Sequence, residues 1–130
     1  MEKRTIDPWA WGEQTNAVQA VEVTQVSGAL YCSGQVAIDA HGVPSSVDMR
    51  AQLQQCIQNL ETVVREAGYE LHNIVRLNVY TTSVETFFST CMDVYVPFIH
   101  QHGIKQATTL LEVKGLFATL TVELEATVVR

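Results

Sequence analysis

At 130 residues the chain has the length of one ordinary domain, enough to bury about 65 to 70% of the surface its unfolded form exposes. Only 17% of residues are charged, against roughly 25% in typical soluble domains, while 47% are apolar and the mean hydropathy is +0.09, so part of the exterior is expected to be covered by further copies of the chain. Fourteen acids against eight bases give a net charge of −6 and a pI near 5.0, which disfavours nucleic-acid or anionic-membrane binding through phosphate neutralisation.

The first residues, Met1-Glu2-Lys3-Arg4, lead to Pro8, Trp9, Trp11 and Glu13 rather than to the apolar core of a signal peptide. No apolar run approaches the ~18 residues of a membrane span. Cys32, Cys56 and Cys91 lie in apolar stretches without C-x-x-C spacing, and an odd count closes no complete disulfide framework. A reducing, cytoplasmic setting without a membrane partner is expected.

Val18 to Val23 and Leu30 to Ile38 read as strands joined at Ser27-Gly28, and the second ends in the Asp39-Ala40-His41-Gly42 reversal. From Met49 the period changes: Met49, Leu53, Cys56, Ile57, Leu60, Val63, Val64 and Ala67 form one helical stripe. A helix is expected at about 47 to 67, capped by Ser45, Ser46 or Asp48 and stopped at Gly68. Ile74 to Thr81 alternates as a strand. Val84, Phe87, Phe88, Cys91, Met92, Tyr95, Phe98 and Ile99 form a second helical stripe, stopped at Gly103 and kinked near Val94 to Pro97. Thr108 to Val113 and Ala118 to Val129 close the chain as strands.

The order β-β-β-α-β-α-β-β describes a single α+β domain over residues 1–130, one mixed sheet with two helices on one face. In the last strand Leu120, Val122, Leu124, Ala126 and Val128 belong beneath the helices, leaving Glu123, Glu125 and a threonine row on the other face. Tyr31, Ser33, Gln35, Arg76, Asn78 and Tyr80 are expected to join that row, a polar, aromatic surface suited to an oligomer interface or a cleft.

Cys32-Ser33-Gly34-Gln35 is the most site-like stretch, because glycine beside an exposed hydroxyl lets backbone approach a ligand; a strand bulge would carry the same residues. Glu123 and Glu125 stand about 7 Å apart on one strand face, a spacing open to acid/base work, while Arg76 is expected to pair with one of them, the simpler use of Glu125. His100 and His102 do not share a helix face as a zinc pair would. No cofactor motif is present: phosphate-binding loops, dinucleotide fingerprints, nucleophile elbows and H-E-x-x-H are all missing.

Leu30-Tyr31-Cys32-Ser33-Gly34-Gln35, Asn59-Leu60-Glu61, Glu66-Ala67-Gly68, Ile74 to Tyr80 and Val122-Glu123-Leu124-Glu125-Ala126, in that order, resemble the YjgF/RidA family. The likeness covers about residues 17 to 129 of this family of reactive intermediate deaminases, also called L-PSP endoribonucleases. It implies a chorismate-mutase-like fold, a homotrimer and ligand sites in clefts between subunits. It places the cleft serine at Ser33 and the cleft glutamate, the catalytic candidate, at Glu123, with Tyr31 and Gly34 beside them as ligand-binding candidates. The arginine that grips a substrate carboxylate in the family falls at Thr108, its nearby cysteine at Leu110, its helix asparagine at Met92, and its tyrosine at Ala17 or Ala20. The resemblance is therefore to an arginine-lacking branch. It implies a small-molecule metabolite as partner, and a hydrolytic deaminase of an enamine or imine other than 2-aminoacrylate. A non-catalytic metabolite-binding or regulatory protein, or an endoribonuclease or translation inhibitor, stays open beside it.

Overall fold

The computed structural model describes all 130 residues and contains six strands and three α-helices: β1 Glu2–Ile6, β2 Ala20–Thr24, β3 Ala29–Tyr31, α1 Met49–Glu66, β4 Ile74–Thr81, α2 Val84–Thr90, α3 Met92–Gln101, β5 Leu110–Glu112 and β6 Val122–Val129. The α+β class expected from the sequence holds. The strands divide into a two-stranded antiparallel ribbon, β1-β2, and a four-stranded mixed sheet in the order β3-β6-β4-β5. β6 runs antiparallel to both neighbours, whereas β5 is parallel to β4 and is reached through α2 and α3, as a parallel pair requires.

The core lies between the helices and one face of this sheet. Leu120, Val122, Leu124, Ala126 and Val128 are all buried there, together with Met49, Leu53, Cys56, Leu60 and Val64 of α1. Asp48 caps α1, its side chain accepting a 2.8 Å bond from the Ala51 backbone N–H. Gly68 takes the left-handed conformation, φ 78°, in which the helix stops. All three cysteines are buried and unpaired.

Three expectations change. The second helical stripe is broken at Cys91 into α2 and α3, while Pro97 is accommodated inside α3. The hydroxyls of Ser89 and Thr90 both turn back to donate to Thr86 O, drawing the last turn of α2 away from a continuous ladder. The first of the three leading strands is Glu2–Ile6, whose charged residues show no buried period; it forms because its whole length finds a partner in β2. The third leading strand, β3, is shorter than the Leu30 to Ile38 run from which it is expected. Past Tyr31 the chain is bulged: Tyr31 faces Thr127, yet Gln35 faces Leu124, so four steps in one strand span three in the other.

Candidate active site

The bulge at Ser33-Gly34 turns one glutamate into a distinctive group. Glu123 projects from β6 on the face away from the helices, and Tyr80 of β4 stands opposite it in register. Its carboxyl lies against the backbone of Gly34, where a Cβ would stand 2.5 Å from Glu123 Oε2. Half-buried, it makes no hydrogen bond within the chain. Burial, and then the neighbouring charge of Glu125, push its carboxyl above the usual range.

Glu125 has the opposite environment. Its Oε1 accepts 3.1 Å and 2.9 Å bonds from Asn78 Nδ2 and Tyr80 Oη, which hold the carboxyl below its ordinary value. The expected ion pair of Arg76 with Glu123 or Glu125 does not form: Arg76 takes part in none of the chain's salt bridges. Asn78, directly opposite Glu125 in register, and Tyr80, one pleat further along the same face of β4, occupy the carboxylate instead. Arg76 borders the same depression, about 340 Å³, with Tyr31, Asn78, Glu125 and Thr127.

Two carboxylates on one face with their proton affinities driven apart form the usual division between a group that can carry a proton and one that stays charged. Ser33 is exposed beside them, and Tyr31 is 79% exposed on the open face. Gln35 leaves the expected polar row, because the bulge sets it opposite the buried Leu124.

Thr108 and Leu110 lie elsewhere. Leu110 pairs with the buried Val79, and the backbone bonds from Leu77 to Ala107 and from Val79 to Thr109 align Thr108 with Leu77. Alternation thus turns both residues to the helix side, at the free edge of β5 and two strands from β6. Thr108 Oγ1 accepts a 3.1 Å bond from Gln106 Nε2 and neighbours the buried Tyr95 hydroxyl. One chain therefore brings Gly34 against Glu123 with Ser33 next to it in the bulge, sets Tyr31 in the neighbouring depression with Glu125, and keeps Thr108 and Leu110 apart from both.

The remaining polar candidates have structural partners. His102 Nε2 lies 3.3 Å from Glu61 Oε1, and His100 Nε2 lies 3.1 Å from Asn16 Oδ1. No three His, Cys, Asp or Glu side chains converge as a metal site. Burial pushes the Cys56 thiol up to about 12, leaving it a core group rather than a nucleophile. No signal in the sequence singles out the Asn78–Tyr80–Glu125 cluster: alternation puts the three on one face but does not decide which of them bond.

A mixed sheet with helices on one face is the chorismate-mutase-like arrangement. The family model described as Endoribonuclease L-PSP matches residues 13–130, and the chain belongs to that family, which includes the YjgF/RidA and RutC proteins. A RutC family protein of Aquifex aeolicus is 30% identical over 112 residues, 86% of each chain. The 2-iminobutanoate/2-iminopropanoate deaminase of Salmonella typhimurium is 27% identical over 85% of this chain and 86% of its own. The crystal structure of a Rid family protein of unknown function from Yersinia pestis aligns over 100% of both chains, with a TM-score of 0.87 and 28% identity.

Proposed function

We propose that the chain is a hydrolase of a small, weakly acidic imine or enamine, acting in a cleft completed by a second copy of itself, with Glu123 as its proton carrier. The observation that carries this reading is the Glu123 carboxyl: partly desolvated, seated over Gly34, without a hydrogen-bond partner, and raised in proton affinity. Hydrolysis of an imine adds water to the carbon and protonates the nitrogen; the resulting carbinolamine then collapses to a carbonyl compound and releases ammonia. Glu123 as the acid gives its proton to the nitrogen, and as carboxylate it takes one from the attacking water. Ser33 and the Gly34 backbone line the same spot and would hold the substrate. The name of the Salmonella relative supports this class of chemistry.

Thr108 offers no guanidinium for a substrate carboxylate, and Leu110 makes its surroundings apolar, so 2-aminoacrylate is a poor substrate on this reading. Low charge, the exposed Tyr31 and an Asn78 Oδ1 left without a donor all support burial of the open sheet face in a homotrimer. Three unpaired cysteines fit a cytoplasmic setting, and no helix is long and apolar enough to cross a membrane.

The test is ammonia release from freshly generated imines, neutral and acidic, by the wild-type chain and by Glu123→Gln. Turnover of a neutral imine that disappears in Glu123→Gln supports the reading. Turnover that survives the substitution removes Glu123 from the chemistry, and efficient turnover of 2-aminoacrylate shows that another group holds the carboxylate. The absence of Thr108's arginine counterpart favours a second reading, metabolite binding without turnover, which would appear as saturable ligand binding with no ammonia released.

A further inference from the structure

A cavity of about 300 Å³, lined by none of Tyr31, Ser33, Gly34, Thr108, Leu110 or Glu123 although Ala17 borders it, lies where the N-terminal segment meets the carboxyl end of α3. Asp7, Gly12 and Glu13 form one wall, and His100, Gly103 and Lys105 contribute to the other. The volume stands at the lower end of the range of ligand pockets and admits a small molecule.

The wall is built rather than draped. Asn16, beside Glu13, adopts a left-handed conformation, φ 56°. Its carbonyl accepts a 2.9 Å bond from the fully buried Gln106 Nε2, its side chain meets His100 at 3.1 Å, and Val18 N–H donates to Gln106 O at 3.0 Å. Gly12 is buried, and a Cβ on it would collide with the Asp7 carboxyl, so the missing side chain is what seats that carboxylate in the wall.

The charges there are unspent. Asp7, Glu13 and Lys105 belong to none of the chain's ion pairs. Two carboxylates outnumber the one lysine, all three exposed, and the carboxyl end of α3 adds partial negative charge. The cavity therefore favours a cation small enough to enter, and oxygen acceptors suit an N–H donor.

We propose that this cavity is a second binding site, separate from the Glu123 face, for a small molecule carrying an ammonium group, seated on Asp7 and Glu13. The chain's two tryptophans report on it. Trp9 and Trp11 stack with ring centroids 5.3 Å apart, and Trp11 belongs to the same 3-10 turn, Ala10–Thr15, as Gly12 and Glu13.

Ethanolamine is the probe, titrated by tryptophan fluorescence and calorimetry, with uncharged ethylene glycol and anionic glycolate alongside. Ethanolamine is expected to bind saturably and the two controls not to. Asp7→Asn should weaken it by about ten-fold, the effect of one charge-assisted bond, and Gly12→Ala should also weaken it by displacing the carboxylate. Lys105→Gln should bind ethanolamine at least as tightly as wild type, and Glu123→Gln should bind it unchanged. A titration that does not saturate overturns the proposal. So does glycolate binding as tightly, or an affinity indifferent to both Asp7→Asn and Glu13→Gln.

Discussion

The carboxyl of Glu123 occupies the space in which any side chain at position 34 would place its first carbon, 2.5 Å from Glu123 Oε2. The bulge after β3 and the absence of a Cβ at Gly34 act together: the first brings the backbone to β6, and the second leaves room for the carboxylate. The consequence is a carboxyl partly withdrawn from water without a partner to neutralise it.

Gly34→Ala therefore displaces Glu123 rather than straining its own backbone. Because what must move is the end of a flexible side chain without a hydrogen-bond partner, the expected cost is at the low end for overpacking, about 1 kcal/mol of stability, with loss of any turnover that depends on Glu123. Denaturant unfolding monitored by circular dichroism checks the first figure, and ammonia release the second.

Glu123→Gln should stabilise the chain at neutral pH. Because the folded state raises this carboxyl, the stabilisation from its proton is complete below the unfolded value, ordinarily 4.5, and is lost as pH rises through the higher folded value. The uncharged amide escapes that loss. Melting temperatures of the two proteins should converge at acid pH and separate, with the variant higher, as pH rises toward neutrality.

Tyr80→Phe tests the neighbouring carboxylate with the opposite sign. Glu125 is lowered in the fold by the bonds of Asn78 and Tyr80, so its contribution is present above the unfolded value and lost as pH falls through the lower folded one. Removing the phenol hydroxyl should cost about 1 kcal/mol at neutral pH and less in acid. Thermal melts of wild type and variant across that range read the difference.

Gln52→Leu should be more costly than its exchange of one buried side chain for another suggests. Gln52 Nε2 donates to Val47 O at 3.0 Å and Thr119 O at 3.2 Å, while Oε1 accepts from Thr121 N–H at 2.8 Å. Leucine leaves all three backbone groups unpartnered beneath α1, an expected loss of at least about 2 kcal/mol in equilibrium unfolding. Asp48→Ala, which removes only the α1 cap, should lose about 1 kcal/mol in the same measurement.

Local pattern was enough for α1, whose apolar spacing and flanking Asp48 and Gly68 match the structure, and for β4, expected and found at Ile74 to Thr81. Burial of Val122, Leu124, Ala126 and Val128 follows from strand alternation alone, as does the exposure of Glu123 and Glu125 to the other face. The family, and with it Ser33 and Glu123 as candidates, was also readable from the ordered motifs, because each is a short stretch of contiguous residues.

What required the tertiary structure were relationships between residues far apart in sequence. Strand β1 carries no period of its own and exists through its pairing with β2. Arg76 has the right charge and face for Glu125, yet Asn78 and Tyr80 take the carboxylate, a choice set by rotamers and strand register rather than by composition. Alternation in β5 turns Thr108 and Leu110 toward the helices because of the register with β4, and the cavity beside Asp7 arises only where the N-terminus crosses α3. Periodicity is a property of neighbouring residues and is written along the chain. Which side chain wins a partner, and where a hollow opens, depends on distances between segments that only packing determines.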